Sequence, residues 1–462
     1  MLHESLQAYS KNEKTEKSPL KASHHEDAHE GTPIYWPLVM VAASTILASN
    51  VTFSIVVSFL PQEAQHRGID DDGQGVISAA QKLGTICSAG FVGPLCRRFG
   101  NTAVLITASL LHAAAVLVNG ILGGRINDAH TFLAVFLLAR FVQGAANGQA
   151  DGAAQGMVVR AVPLELLTRV VTILEGARGL GLAIGPITGS LLYSWCDGML
   201  VPYCLCAGLL LLPLLVLICI ALCVADGNVL TILSIHSAKA QNFDSVCTLL
   251  RRPLFTTVLL AQLSFIAGLG LVEATAASVW ARPPFDMTTI TIGAVFAAGG
   301  SVTILCAGIQ GASSRWLETI PCLLQLALAG ALMGAGFLTM GLTNSAAGQT
   351  AGFVAGGSSG YGIAVVAGSV ALVKTGSSFE GSDDGMCDDQ QDVQQRKAAR
   401  AESISTVLVY SFSIGLFIGS TAYAKVQQAT SWSITAQGVA VLLLTIALGL
   451  LITAACWKSM RF

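Results

Sequence analysis

The sequence predicts an all-α membrane protein with twelve transmembrane helices arranged as two pseudo-symmetric six-helix bundles. Three observations predict it. Of 462 residues, 53% are hydrophobic and only 11% charged, and the mean hydropathy is +0.66. A soluble globular chain carries roughly 25% charged residues, so this one has too few to cover a water-facing surface, and lipid is the solvent that fits. A large soluble enzyme is thereby excluded. The second observation is a series of twelve apolar runs, and the third is an internal duplication. The net charge of −2 gives no indication of a nucleic-acid partner.

A helix needs about 20 mostly apolar residues to cross the hydrocarbon core. Runs of that length fall at 35–61, 76–96, 102–122, 131–159, 168–194, 200–225, 254–280, 288–311, 320–342, 350–373, 404–426 and 434–457. They are continuous rather than alternating, which favours helices over a barrel. The 48 glycines fit close helix contact. Of the 25 basic residues, eighteen lie on the side of the N-terminus. The opposite side holds Arg67, Arg125, Arg282 and Lys425, and Lys82, Arg140 and Arg178 fall inside spans. By the positive-inside rule both termini are expected in the cytosol.

Residues 1–34 are polar, with no apolar signal region, and read as a disordered cytosolic tail. Its cluster His24, His25, Glu26, Asp27, His29 and Glu30 reads as a solvated tail, because flexible metal ligands must be ordered at an entropic cost. No metal and no cofactor are expected. The N-terminal bundle is expected at 35–225, a cytosolic linker at 226–252, the C-terminal bundle at 254–457, and a cytosolic end at 458–462. The polar stretch 374–403 reads as an insertion within the second bundle.

The duplication is visible without gaps between the second and eighth spans. At an offset of 218, Gly75 matches Gly293, Ala79 matches Ala297, Thr85 matches Thr303, and Arg97 matches Arg315. Phe141, Val142 and Gly144 likewise match Phe353, Val354 and Gly356, and Gly181 and Gly185 match Gly415 and Gly419. Two homologous six-helix halves are a transporter architecture, with the solute site near the midplane between them.

Ionisable groups inside spans cost about 2.5–3.5 kcal/mol each on insertion scales, so they are functional candidates facing the bundle interior. They are Lys82, Arg140, Arg178, Asp151, Glu175 and Glu273. Glu175 and Arg178 stand i,i+3 on one helix; they read either as a structural ion pair or as a titratable carboxyl with its neighbour. Glu273 has no sequence-local base in the run FIAGLGLVEATAASVW, and is the first choice for a carboxyl that loads and releases a proton. Asp151 follows Arg140 by eleven residues, about three turns, so both can project from one face. Lys82 is expected to snorkel, and His112 to be packed neutral. Gly181, Gly185 and Gly189 form a flat helix face beside Pro186, which permits bending.

These residues resemble the major facilitator superfamily, and within it the vesicular amine and polyamine branch of drug:proton antiporters. The run FVGPLCRRFG at 91–100 resembles the loop motif after the second helix, with Gly93, Arg98 and Gly100 fitting and Arg97 where an Asp is usual. The run RFVQG from Arg140 resembles the fourth-helix motif whose Arg the family ties to proton coupling. Glu175 with the run from Gly179 to Gly189 resembles the fifth-helix antiporter signature, and Leu271, Val272 and Glu273 resemble the seventh-helix acidic position. The resemblance implies the major facilitator fold, and it places Asn50 at the substrate cavity. Beside it, Ser49 stands where monoamine carriers place an Asp.

The expectation is a monomeric carrier in the plasma membrane or an endomembrane vesicle. It would exchange an organic, cationic amine- or polyamine-like solute for protons by alternating access. The alternatives are a facilitator or symporter on the same fold, or a non-transporting receptor or scaffold derived from it.

Overall fold

A computed structural model describes residues 35–69, 71–162, 164–196, 198–223, 249–312, 320–377, 407 and 409–459. The tail 1–34, most of 226–252 and 374–403, and residues 460–462 lie outside the described residues. Among the described residues the spans are helical, apart from a turn in the first at residues 55–59. The first runs Tyr35–Ser54, the second Asp71–Phe99, the third Asn101–Gly123, the fourth Ala129–Ala161, the fifth Leu164–Cys196 and the sixth Leu200–Cys223. In the second half the seventh runs Pro253–Trp280, the eighth Thr289–Ala312, the ninth Cys322–Leu342 and the twelfth Trp432–Ser459. The tenth joins Ala346–Ala351 to Ser359–Ser377 through a π-helical segment, Gly352–Ser358, and the eleventh passes from 409–418 through a second one, Gly419–Tyr423.

Nine helices among the described residues are long and apolar enough to cross a membrane. The second and fifth are long enough, but Gln81 and Lys82 dilute one and Glu175 and Arg178 the other. Charge is not confined to those two: the fourth span carries Arg140 and Asp151 and the seventh carries Glu273, and both remain apolar enough to cross. Elsewhere the outer faces carry exposed Leu138, Leu260, Leu305 and Val441, an apolar belt that only lipid accommodates.

The first span differs from the continuous helix expected over 35–61. It breaks at Ser54, turns through residues 55–59 and resumes as Leu60–His66. Val57 N–H bonds Ser54 O at 3.1 Å and Phe59 N–H bonds Val56 O at 3.3 Å, so the turn is tightened to i→i+3 pairing. Pro61, in the first turn of the resumed helix, is tolerated there because the N–H groups of a first turn have no acceptor within their own helix, so a missing one costs little.

The duplicated sequence produces duplicated packing. A Cβ at Gly181 would stand 2.8 Å from Leu47 O, and one at Gly415 would stand 2.9 Å from Leu263 O. One at Gly185 would lie 2.9 Å from Val51 O and 3.0 Å from Ile55 N; one at Gly419 would overlap Ala267 O and lie 2.8 Å from Leu271 N. The fifth span therefore rides on the first as the eleventh rides on the seventh. Thr85 Oγ1 donates to Gly144 O at 2.9 Å, and its counterpart Thr303 Oγ1 donates to Ser358 O at 3.1 Å.

The non-terminal end of the second half closes over a buried amide. Gln349 Oε1 accepts from Trp280 Nε1 at 3.1 Å and from Trp432 Nε1 at 3.0 Å, while its Nε2 donates to Met340 O at 2.7 Å and Thr343 O at 3.0 Å. Replacing Gln349 by leucine leaves two indole N–H groups and two carbonyls without that partner. Each stranded buried group costs about 1–3 kcal/mol, so a marked fall in the unfolding temperature of the detergent-purified chain is expected. An unchanged melt would contradict this assignment.

Candidate functional site

The six intramembrane charges separate into two clusters at different depths. Helical rise sets the separation: Arg140 and Asp151, eleven residues apart on the fourth span, stand about 16 Å apart along its axis. They therefore do not form a pair. Arg140, which is 2% exposed, donates from Nη1 to Gln81 Oε1 at 2.6 Å and to Gln143 Oε1 at 3.5 Å. Asp151 instead lies within electrostatic range of Arg178 and Glu175 of the fifth span.

Lys82 does not snorkel. Its Nζ lies 3.0 Å from Glu273 Oε1 and 3.2 Å from the centroid of the Phe53 ring. Glu273, which lacks a base nearby in sequence, receives one from the other half of the molecule. Lysine at mid-span is too far from either interface to reach water cheaply, so it is retained by a carboxylate and an aromatic face. The residue is 4% exposed. A small polar cavity of about 20 Å³ is lined by Lys82, Arg140, Glu273, Gln74, Gln81 and Phe53.

The second cluster lies nearer the terminal side. Arg178 Nη1 contacts both Glu175 oxygens at 3.2 Å, and its guanidinium lies 4.7 Å from the Phe412 ring centroid. Glu175, Arg178, Tyr361 and Thr303 border a further cavity, of about 10 Å³. Between the clusters is a cavity of about 60 Å³, lined by Phe53, Glu273, Phe296, Phe337, Phe353 and Tyr361 among others. It is an apolar, aromatic chamber with one carboxylate on its wall. Glu273 and Phe53 border both this chamber and the Lys82 cavity.

Asn50 stands away from these cavities. Its Nδ2 donates to Ile46 O at 2.7 Å within its own helix, and its Cβ is what a side chain at Gly181 would strike, at 2.7 Å. The resemblance placed it at the cavity, whereas the tight contact of the first and fifth spans turns it into that interface. Gly189 is pressed against Ile55 O, so Gly181, Gly185 and Gly189 form one continuous contact with the first span. Ser54 and Ser58 stitch the seam by donating to Gly181 O at 3.0 Å and Pro186 O at 3.1 Å. Gly100 has φ +85° between the second and third spans, a conformation that requires glycine. Gly93 lies in the last turns of the second span, and the exposed Arg98 packs over Phe99 at 5.3 Å.

The halves are close on the side away from the termini. Gln62 donates to Thr289 Oγ1 across them. A Cβ at Gly293 would lie 3.0 Å from Pro186 O, and one at its counterpart Gly75 would lie 3.7 Å from Ser420 O. Midway, one at Gly300 would lie 2.5 Å from Ala183 Cα. Farther toward the terminal side, positions Gly176 and Gly308 have nothing within 4 Å of a built Cβ. The fifth and eighth spans thus touch at Gly293 and Gly300, and a Cβ at Gly179 would still lie 3.2 Å from Ile304 of the eighth.

A family model described as Major Facilitator Superfamily matches residues 41–378. The chain belongs to the Major Facilitator Superfamily. Two relatives within it are the MFS-type transporter SLC18B1 of Rattus norvegicus and that of Homo sapiens. The first is 27% identical over 261 residues, 56% of this chain and 53% of the relative. The second is 32% identical over 185 residues, 38% of this chain and 39% of the relative. The chain thus matches about half or less of the length of these curated relatives. A solved structure, the human organic anion transporter MFSD10 (TETRAN), superposes with a TM-score of 0.64 at 16% identity, covering 90% of this chain and 100% of that one. That likeness is one of fold. For this superfamily member, sequence reasoning singled out every intramembrane charge and missed Phe53, Gln81 and Tyr361. Gln81 was legible as a polar neighbour of Lys82 inside an apolar span; an aromatic residue in a span carries no such signal.

Proposed function

We propose that this chain is a secondary carrier that exchanges an organic, cationic solute for protons by alternating access of its two halves. The observation that carries the reading is the position of Glu273. Its carboxylate is tied to Lys82 of the opposite half and borders the aromatic chamber between the halves. A carboxylate holds a proton or a cation, not both, and that competition is antiport in physical terms. Protonation also removes its attraction for Lys82, which loosens a tie between the halves where alternating access needs them to part. The aromatic lining suits an organic ammonium through its ring faces. In this reading both termini face the cytosol, as the distribution of basic residues favours, and the chain acts as a monomer.

The test is uptake into proteoliposomes of polyamines and aromatic amines under an imposed pH gradient. Accumulation that collapses with a protonophore is expected. Uptake insensitive to the gradient would favour a facilitator instead. A specific observation favours a second reading: Lys82 and Arg140 outnumber Glu273 in the polar cavity, which suits an organic anion. Anion transport is also named for the structural neighbour, whose likeness is of fold. Organic anions run in the same screen decide between the two.

A further inference from the structure

Two features fix the chemistry around Lys82. Its ammonium is 3.0 Å from one carboxylate oxygen and 3.2 Å from an aromatic centroid. That pair of contacts, an anion and a ring face in a desolvated wall, is the set an organic ammonium ligand would make. The two residues that supply them come from different halves, and both also face the central chamber. Lys82 reaches them only from the polar-cavity side. Phe53 itself belongs to the second half's core although it is carried by the first span, one residue before the helix breaks.

We propose that Glu273 and Phe53 form an organic-ammonium site that the protein's own Lys82 occupies in this conformation, as a tethered stand-in for the ligand. An incoming ammonium takes the carboxylate and ring by displacing Lys82 into the polar cavity, where Gln74, Ser78 and Gln81 offer uncharged oxygen acceptors. The empty site is never an unpaired buried carboxylate, which would cost several kcal/mol. Ligand and tether are mutually exclusive, so the tether lowers the affinity for any cation arriving from the chamber. This site rests on the cationic reading above only for its role in transport, not for its existence.

Lys82→Ala removes three methylenes and the ammonium, the outline of n-propylammonium. The full-length chain in detergent should then bind n-propylammonium at least tenfold more tightly than the wild type, read as a rise in unfolding temperature with concentration. The neutral isostere n-propanol should have no such effect, and K82A/E273Q should lose the response. Should K82A fail to fold, n-propylammonium present during solubilisation should recover it and n-propanol should not. Equal responses of wild type and K82A, an undiminished response in K82A/E273Q, or no response or recovery of K82A overturns the proposal. Organic-cation flux is a separate readout. A Glu273-dependent response in K82A with no flux of any cation by the wild type overturns the transport reading and leaves the ammonium site standing.

Discussion

Glu273→Gln should reduce proton-driven exchange to the passive leak while the folded chain remains in the membrane. The substitution is nearly isosteric. The amide oxygen still accepts from Lys82 Nζ, now 3.0 Å from the carboxylate, and Lys82 keeps the Phe53 face. What is lost is the charge and the ability to exchange a proton for a cation. Removing Lys82 instead strands a buried carboxylate, and breaking a buried pair from one side costs about 3–5 kcal/mol, so a stability loss is expected there. Glu273→Gln also leaves Lys82 without its counter-charge, but it keeps an acceptor for the ammonium and the packing around it, so its stability loss is expected to be the smaller of the two. Gradient-driven flux in proteoliposomes and the melting profile of the same preparation are the two readouts. Normal pH dependence of exchange in the variant would sink the assignment of coupling to Glu273.

Gly185→Val and Gly419→Val should each strongly reduce the yield of folded protein. A Cβ at Gly185 overlaps Ser54 Oγ, which can rotate away, but it also stands 2.9 Å from Val51 O and 3.0 Å from Ile55 N, which cannot. At Gly419 the obstacle is backbone alone, Ala267 O and Leu271 N. Overpacking costs about 1–3 kcal/mol where side chains can adjust, and more is expected where two helix backbones must separate. Gly208 and Gly438 have nothing within 4 Å of a built Cβ, so Gly208→Ala and Gly438→Ala serve as controls with unchanged yield. Size-exclusion profiles of the four variants decide the matter. Equal behaviour of the contact glycines and the controls would refute the seam.

The two valine variants also probe the duplication. The offset that aligns Gly185 with Gly419 was legible in sequence, because repeated close packing demands repeated glycine. The break at residues 55–59 was not, since IVVSF is apolar and β-branched and reads as more of the same span. Only its packing against the fifth span, through Ser54 and Ser58, shows where the helix gives way. Asn50 illustrates the opposite error: a polar residue in a span is free to face a cavity or a neighbouring helix, and helix rotation is set by the partner's surface.

The identity of the charged set followed from the sequence alone, but its grouping did not. Depth follows from distance along a helix, at 1.5 Å per residue. That rule puts Arg140 and Asp151 at different levels, although the shared face made a pairing tempting. Partnership across the halves did not follow. Lys82 and Glu273 are 191 residues apart, and nothing local to either records the other.

The sequence by itself determined the solvent, the helical spans, the two-fold repeat and the short list of charges that enter the membrane. These depend on composition and on periodicity along one chain, which lipid enforces residue by residue. The tertiary structure decided that Lys82 neutralises Glu273 over Phe53, that Asp151 joins Arg178 and Glu175, and that Asn50 is spent on a helix seam. The reason is physical: a buried charge needs a partner, but low dielectric rewards any partner that packing brings within reach, and packing between two halves is a property of surfaces that no single span contains.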